Sequence, residues 1–375
     1  MKEMQEILRA LESPENGSEI LALATVVKVE GSAYRRPGAR MLILPDGRRL
    51  GSLSGGCLEA DVAERARQVR ATGVPEMVRY DTRHGFDLVQ EMGCQGAVTI
   101  LIEAIRSSDP YVRFLMESFR LRRRGVLATV VHAPSSGQLR IGARLAYTQE
   151  AMFSEIDAIA LGAALVQDAA EVINGAQAEI RTYALSEGSV EVLVEPLLLP
   201  LTLLICGAGQ DALPLAQFAT QLGWQVVVTD AQPARLAPGR FPHTVRRLEM
   251  HPRNWRETLR PDDRTIAVLM THNYEQDLEL LRSLLPFPLP YLGLLGPRKR
   301  GERLLQELHN EGFAVTEPMR ERLFSPAGLD IGSETPEEIA LAILAEIQQT
   351  LTRRPRSPLR QRGAPIHAEY KPKSV

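Results

Sequence analysis

Runs of apolar residues alternate with amphipathic segments along the chain, and their periods predict both strands and helices. The segments "LATVVK" (23–28), "VTILIE" (98–103) and "VEVLVE" (190–195) are β-branched and alternating or continuously apolar, which is typical of strands. The first residues, "MKEMQEILRALE", have helical apolar spacing and are followed by Pro14 and Gly17. We therefore expect an N-terminal amphipathic helix rather than a signal peptide.

The pattern in the first half of the chain occurs twice. Residues 23–40, "LATVVKVEGSAYRRPGAR", align without a gap on residues 127–144, "LATVVHAPSSGQLRIGAR", and ten of the 18 positions are identical. Unrelated stretches would share roughly one position. The strands at 98–103 and 190–195 extend the match. We predict two related lobes, 18–110 and 120–197, in which the strands at 23–28 and 127–132 take equivalent places.

The second half begins with a strand, a glycine turn, a helix and a second strand, in "LTLLICGAGQDALPLAQFATQLGWQVVVTD". Gly207 and Gly209 fit the dinucleotide-binding fingerprint, with Ala212 in its third position. Asp230 stands 21 residues after Gly209, where a ribose-binding carboxylate is expected. Asp211, by contrast, brings negative charge to the place of a pyrophosphate. Cys206, at the end of the first strand, is expected in the core.

Two further strand–helix units and a capped helix complete the pattern. The capped helix follows Thr335, with Pro336 at its first position and Glu338 completing a capping box. The fold class predicted is α/β: an N-terminal mixed α+β region of two related lobes (1–197), then a Rossmann-like, mainly parallel doubly wound sheet (198–351). A flexible basic tail (352–375) is expected to follow.

Composition restricts the partners more than it identifies them. The chain has 375 residues and a formal net charge of -2, which gives no reason to expect nucleic acid or a membrane surface as partner. The most apolar run, 190–206, is interrupted by Glu191, Glu195, Pro196 and Pro200, so it is no membrane span. Three cysteines argue for free thiols in a cytoplasmic protein.

Two of these cysteines lie beside glycines. In "GSLSGGCLEADV", Gly55 and Gly56 permit positive φ angles, and Cys57 precedes a helical pattern whose positive end favours a thiolate, although Glu59 opposes it. Cys94 lies in "EMGCQGA". The second lobe has no cysteine between residues 125 and 200. Both interpretations therefore stay open: functional thiols, or small residues packed at tight turns.

Seven short motifs follow one another along the chain: "GSAYRRPGARMLI", "SGGCLEADV", "MGCQGAVTILIE", "GAGQDALPLA", "MTHNYEQDLELL", "YLGLLGPRKR" and "GLDIGSETPEEIALAILAEI". In their order they resemble the motifs of the XdhC/CoxI family of xanthine dehydrogenase accessory proteins. They extend from about Gly31 to Ile347. The resemblance implies a chaperone that binds molybdenum cofactor, protects it during exchange of an oxo ligand for sulfur, and passes it to a molybdenum hydroxylase of the xanthine or carbon monoxide dehydrogenase kind. Gln210 and Asp211 depart from the His-Val-Gly sequence that follows the glycines in many members, although one branch of the family has a similar Asp-Ala-x-Pro continuation.

Further expectations accompany this resemblance. A cysteine desulfurase is the expected second partner, and a homo-oligomer, a dimer, is the expected assembly. The thiols of Cys57 and Cys94 suit a sulfur-bearing metal centre, with Cys57 as a molybdenum contact, and arginine suits phosphate. The candidate binding residues are Arg35, Arg36, Arg40, Gly55, Gly56, Gly207, Gly209, Asp230 and His272.

Not all of these candidates are equally distinctive. Arg36 and Arg40 recur as Arg140 and Arg144 in the lobe without cysteines, so they could serve the scaffold, and any one of the arginines could simply be solvated. His272 follows a strand at its ligand-binding end, where helix capping by Thr271 or Asn273 is the competing explanation.

Two other functions remain as alternatives. An NAD(P)-dependent oxidoreductase would use the Rossmann half directly, with His272 as acid or base and Lys299 or Arg300 near phosphate. A zinc-stabilised module would use Cys57, Cys94 and His84, although these three lack paired Cys-x-x-Cys spacing.

Overall fold

A computed structural model describes residues 2–16, 19–31, 33–81, 96–134, 139–173, 177–251, 261–355 and 357–363. By its internal contacts the chain divides into two compact units, residues 1–199 and 200–375. Within the described ranges, no helix is long and apolar enough to cross a membrane. Each unit has its own sheets and its own core, and each is described by itself.

The first lobe of the N-terminal unit is an antiparallel sheet with a helix packed on one face. Its elements are α1 (Lys2–Glu12), a 3-10 turn (Pro14–Asn16), β1 (Leu21–Gly31), β2 (Arg40–Ile43), β3 (Arg49–Gly51), α2 (Glu59–Thr72), β4 (Glu76–Asp81) and β5 (Gly96–Ile105). The strands lie in the order β3-β2-β1-β5-β4, and neighbours are antiparallel. Helix α2 buries Val62, Ala66 and Val69 in the core of this lobe.

The second lobe repeats this arrangement. Its elements are α3 (Pro110–Arg120), β6 (Gly125–His132), β7 (Arg144–Thr148), β8 (Met152–Ser154), α4 (Ile159–Val172), β9 (Glu179–Leu185) and β10 (Gly188–Leu197). The order β8-β7-β6-β10-β9 is that of the first lobe, strand for strand. Helix α4 buries Leu161, Leu165 and Ala169 in the core of this lobe, in the same way as α2 buries its apolar face in the first lobe.

The two copies also share an irregularity. The pairing of β1 with β5 skips Val27, and the pairing of β10 with β6 skips Val131, which are equivalent residues of the repeated "LATVV". A bulge of this kind increases the local twist of a strand, and here it occurs at the same place in both sheets. Val27 and Val131 meet Leu101 and Leu193 in one buried cluster shared by the two lobes. The predicted pair of related lobes is thus confirmed, with equivalent strands at 23–28 and 127–132.

Two buried ion pairs join the lobes reciprocally. Arg40 of the first lobe donates to both carboxylate oxygens of Glu195 in the second, at 3.0 and 2.6 Å. Arg144, its repeat equivalent, donates to Glu103 in the first lobe. Each arginine also donates to the carbonyl oxygen two residues before it, at 2.9 Å. All four side chains are at most 10% exposed, so these charges satisfy one another rather than solvent.

The C-terminal unit is a parallel sheet covered by helices on both faces. Its elements are β11 (Thr202–Cys206), α5 (Ala212–Gln221), β12 (Gln225–Asp230), a 3-10 turn (Pro233–Leu236), β13 (Arg246–Glu249), β14 (Thr265–Leu269), α6 (Tyr274–Leu284), β15 (Leu292–Leu294), α7 (Arg298–Asn310), α8 (Glu317–Glu321), β16 (Leu323–Phe324), α9 (Pro336–Thr352) and a 3-10 turn (Leu359–Gln361). The order β13-β12-β11-β14-β15-β16 is the doubly wound order 3-2-1-4-5-6. The predicted fold class is therefore confirmed.

Alternate residues of β11 enter different cores, as a strand buried on both faces requires. Leu203 and Ile205 pack with α5 and α9, whereas Leu204 and Cys206 pack with α6 and α7. Cys206 is fully buried, as expected. The predicted capping box is also present: Thr335 Oγ1 accepts from the Glu338 N–H at 3.3 Å, and Glu338 Oε2 accepts from the Thr335 N–H at 2.9 Å.

Candidate functional site

The loop between β3 and α2 is organised around one carboxylate. Glu59 is the first residue of α2, and its buried side chain points back toward the loop that precedes the helix. Its two oxygens accept seven hydrogen bonds of 2.6 to 3.2 Å, from the hydroxyls of Ser52 and Ser54 and from the N–H groups of Leu53, Ser54, Gly55, Gly56 and Leu58. One side chain therefore fixes the backbone on both sides of Cys57.

The hydrogen bonds decide the charge of this carboxylate. Burial alone raises the pKa of Glu59, but the bonds from Ser54, Ser52 and Leu53 outweigh burial and lower the pKa to about 2. Glu59 is accordingly ionised at neutral pH. The sequence suggested only that Glu59 opposes a nearby thiolate. Its role as the centre of the loop was missed, because the hydrogen bonds depend on the loop turning back upon the helix.

Gly55 and Gly56 are at positions where a side chain would be strained. Their φ angles are +91° and +129°, in the region that L residues rarely adopt. Both N–H groups are thereby turned toward Glu59. The predicted positive φ angles are confirmed, and they explain why two glycines precede the thiol.

Cys57 is exposed at the tip of this loop, just before Leu58, the N-cap residue of α2. Its neighbours on both sides donate their N–H groups to Glu59, so much of the positive charge near the helix end is directed at that carboxylate. Accessibility, more than the helix end, therefore distinguishes this thiol. Cys94 and His84 lie outside the described residues.

We expect iodoacetamide to alkylate Cys57 in the native protein at least about 100-fold faster than Cys206. Cys57 is open to solvent, whereas burial removes Cys206 from reagent and raises its pKa to about 12. Peptide mass spectrometry after timed quenching measures each site separately. Denaturant should abolish the difference, and equal native rates would contradict the placement of Cys57.

The three candidate arginines have different surroundings. Arg35 donates to Glu3 of α1 at 2.6 Å and is partly exposed, and Arg36 is half-buried. Arg40 is buried in its ion pair with Glu195, and its repeat equivalent Arg144 forms the corresponding ion pair with Glu103. Arg40 is thus engaged by the scaffold in this structure, and its assignment to phosphate binding stays a prediction. Arg35 and Arg36 stay candidates.

Gly207 and Asp230 shape the glycine turn of the C-terminal unit. A Cβ on Gly207 would lie 2.3 Å from the carbonyl oxygen of Met270, so only glycine allows this approach. The Asp230 carboxylate accepts from the Ala208 N–H and the Gln232 N–H, each at 2.8 Å, and is buried. Both residues are thus accounted for by packing within the turn.

An imidazole and a carboxylate stand over Gly209. His272 Nε2 lies 2.8 Å from Asp211 Oδ2, and a Cβ on Gly209 would lie 2.7 Å from Asp211 Oδ1. His272 follows β14 with φ +58°. Asn273 is the N-cap of α6 and accepts from the Gln276 N–H, so the capping explanation holds for Asn273.

The groups around the glycine turn do not fit a dinucleotide pyrophosphate. The Ala208 N–H is already bonded to Asp230, and the Asp211 carboxylate occupies the approach to Gly209. Arg300 donates to buried Asp277 at 2.6 Å, while Lys299 is exposed. The oxidoreductase alternative gains no support from these contacts. In the part of the chain that is described, no cluster of three or more His, Cys, Asp or Glu side chains could hold a metal ion. Cys94 and His84 of the zinc alternative lie outside that part, so this alternative stays a prediction.

The comparisons with known proteins agree with this two-unit architecture. A family model described as the XdhC and CoxI family matches residues 16–81, and one described as the XdhC Rossmann domain matches residues 203–347. The chain belongs to the XdhC and CoxI family, as its motifs predicted.

Its relatives include a Bacillus subtilis protein that is named as a probable xanthine dehydrogenase subunit. The two are 33% identical over 343 residues, which are 89% of this chain and 94% of that protein. The Escherichia coli molybdenum cofactor insertion chaperone PaoD is 25% identical over 334 residues, 87% of this chain and 81% of PaoD. The crystal structure of a xanthine dehydrogenase from Bacillus halodurans is similar with a TM-score of 0.75 and 27% identity, covering 95% of this chain and 97% of that one.

Proposed function

We propose that this protein is a molybdenum cofactor insertion chaperone for a hydroxylase of the xanthine dehydrogenase kind. Two relatives support the proposal by name: one is a probable xanthine dehydrogenase subunit, and PaoD is a molybdenum cofactor insertion chaperone. Both match along most of this chain. The cofactor is cargo in this proposal, held for a time and then released.

The observation that carries the proposal is the exposed thiol of Cys57 on a loop fixed by Glu59. A soft thiolate is a suitable ligand for a sulfur-bearing metal centre. Ordering the loop before binding reduces the entropy lost when the cargo docks. Because Glu59 accepts from the N–H groups on both sides of Cys57, these groups are engaged within the loop, whereas the thiol is exposed and able to meet the ligand.

The remaining parts of the proposal concern the rest of the cargo and its transfer. Arg35 and Arg36 follow β1 in the lobe that carries Cys57, and we assign the phosphate of the cofactor to them. Cys94 is proposed as the second thiol. We propose further that the chaperone holds the cofactor while a cysteine desulfurase supplies sulfur, and that a dimer delivers it to the hydroxylase.

Cys57→Ser should fold normally and retain at least about 10-fold less molybdenum cofactor than the wild type. Serine keeps the approximate shape of cysteine but is a harder, weaker ligand for such a metal centre. The measurement is anaerobic loading with cofactor released from a molybdoenzyme, followed by gel filtration, metal analysis and fluorescence of the oxidised pterin. Activation of a cofactor-free hydroxylase should fall in parallel.

Cys206→Ala is the matched control, because it also removes a thiol but from the buried core of the other unit. It should retain cofactor as the wild type does. If Cys57→Ser and the double variant with Cys94→Ser both retain cofactor and activate the hydroxylase normally, the proposed role of the thiols is wrong.

A further inference from the structure

Tyr34 lies in the loop between β1 and β2 and is unusually exposed for an aromatic side chain. Its relative exposure is 63%, so most of the ring is open to solvent. In the sequence, Tyr34 belongs to the motif "GSAYRRPGARMLI". Nothing in the scaffold described above uses this ring.

The ring contacts the loop that carries Cys57. A Cβ placed on Gly55 would lie 3.2, 3.3 and 3.5 Å from the Cε1, Cδ1 and Cζ atoms of Tyr34. Three ring carbons at nearly equal distances mean that the ring rests beside the glycine backbone. The same test on Gly56 meets nothing within 4 Å. The ring therefore sits at Gly55 in particular, two residues before the thiol.

The support under the ring is fixed. The Gly55 N–H donates to both Ser52 Oγ and Glu59 Oε1, at 3.2 Å each. The same carboxylate also holds Gly56 and Leu58, on either side of Cys57. The Glu59 carboxylate thus positions both Gly55, against which the ring lies, and the backbone around the thiol.

Comparison of the two lobes indicates that the fold itself does not require an aromatic residue at position 34. Tyr34 aligns with Gln138 of the second lobe, which has the same strand order but no cysteine between residues 125 and 200. Gly38 and Arg40, by contrast, recur as Gly142 and Arg144. The aromatic ring and the thiol are therefore present together in one copy and absent together from the other.

We propose that Tyr34 is a stacking platform for the pterin ring of the cofactor, so that one loop surface holds the planar heterocycle while Cys57 meets the metal end. This inference rests on the proposed function. A rigid aromatic ring that is already exposed offers a π face at little entropic cost, and stacking tolerates any planar heterocycle. Thiol and ring would then recognise different chemical parts of the same cargo.

The test uses two ligands, intact molybdenum cofactor and 6-carboxypterin, which lacks the metal and its sulfur ligands. Tyr34→Leu should weaken the binding of both about 10- to 100-fold, because leucine keeps apolar bulk but offers no π face. Tyr34→Phe should bind both within about threefold of the wild type. Cys57→Ser should lose the cofactor but keep 6-carboxypterin.

A spectroscopic measurement separates stacking from a merely structural role. The absorption band of bound 6-carboxypterin should shift to the red and weaken in the wild type and in Tyr34→Phe, but not in Tyr34→Leu. Ile159→Ala, which removes an 88% exposed apolar side chain from the second lobe, is the control and should change neither ligand.

The outcomes distinguish this inference from the function on which it rests. If Tyr34→Leu binds both ligands like the wild type while Cys57→Ser still loses the cofactor, stacking on Tyr34 is wrong and the chaperone proposal stands. If the wild type itself retains no cofactor, both are overturned.

Discussion

Replacing Arg144 by methionine should destabilise the N-terminal unit by about 3 to 5 kcal/mol. The substitution leaves the Glu103 carboxylate buried between the lobes without its cation, and an uncompensated buried charge has a cost of that size. Methionine keeps much of the length of the arginine stem, so the loss is mainly electrostatic. Urea unfolding of the full chain, read by hydrogen exchange of strands β5 and β7, measures it for this unit separately from the other.

Two companion variants make the result specific. Arg67→Met removes an arginine from an ion pair with Glu64 in which both side chains are 69% exposed, and should cost less than about 1 kcal/mol. Arg144→Met combined with Glu103→Leu removes both charges and should recover most of the lost stability. Equal effects of Arg144→Met and Arg67→Met would show that the lobes do not depend on this ion pair.

The repeat explains why part of this interface was predictable. Arginine recurs at positions 40 and 144, and glutamate at positions 103 and 195, at the ends of the repeated segments. The duplication therefore predicted equivalent lobes from the sequence alone. It did not predict that each arginine pairs with the glutamate of the other lobe, because a contact across 155 residues depends on how the lobes pack.

The same distinction separates local from tertiary features at the thiol loop. The helix that starts after Cys57 and the positive φ angles of Gly55 and Gly56 followed from local sequence preferences. The position of Tyr34 against Gly55 did not, because it joins two loops separated by a strand pair. A useful signal was nevertheless present: Tyr34, like Cys57, has no counterpart of its kind in the second lobe.

In the C-terminal unit, the fingerprint predicted the fold, which the strand order confirms. The glycine turn, the helix and Asp230 stand where the doubly wound order requires them. Yet Asp230 bonds to the turn itself, and Asp211 pairs with His272 above Gly209. Gly207 is explained by the approach of the Met270 carbonyl. Contacts within the unit thus account for the positions of Gly207 and Asp230 whether or not a ligand binds there.

Glu59→Gln should lower stability at pH 7 by about 3 kcal/mol and loosen the loop around Cys57. The amide has half the acceptor capacity of the carboxylate and turns an NH₂ group toward N–H and O–H donors. The size follows from the pKa of Glu59, which falls from 4.5 to about 2 on folding, at 1.36 kcal/mol per pKa unit. Urea unfolding measures the loss, and hydrogen exchange at residues 53–58 measures the loosening.

The pH dependence of this difference provides the sharper test. Because folding lowers the pKa of Glu59, its contribution to stability is complete well above pH 4.5 and is lost as pH falls toward 2. The stability difference between the wild type and Glu59→Gln should therefore narrow below pH 4.5. Glu64→Gln, an exposed change on the same helix, should show neither the loss nor the pH dependence. A constant difference from pH 7 to pH 3 would mean that packing, not the charge of Glu59, holds the loop around the thiol.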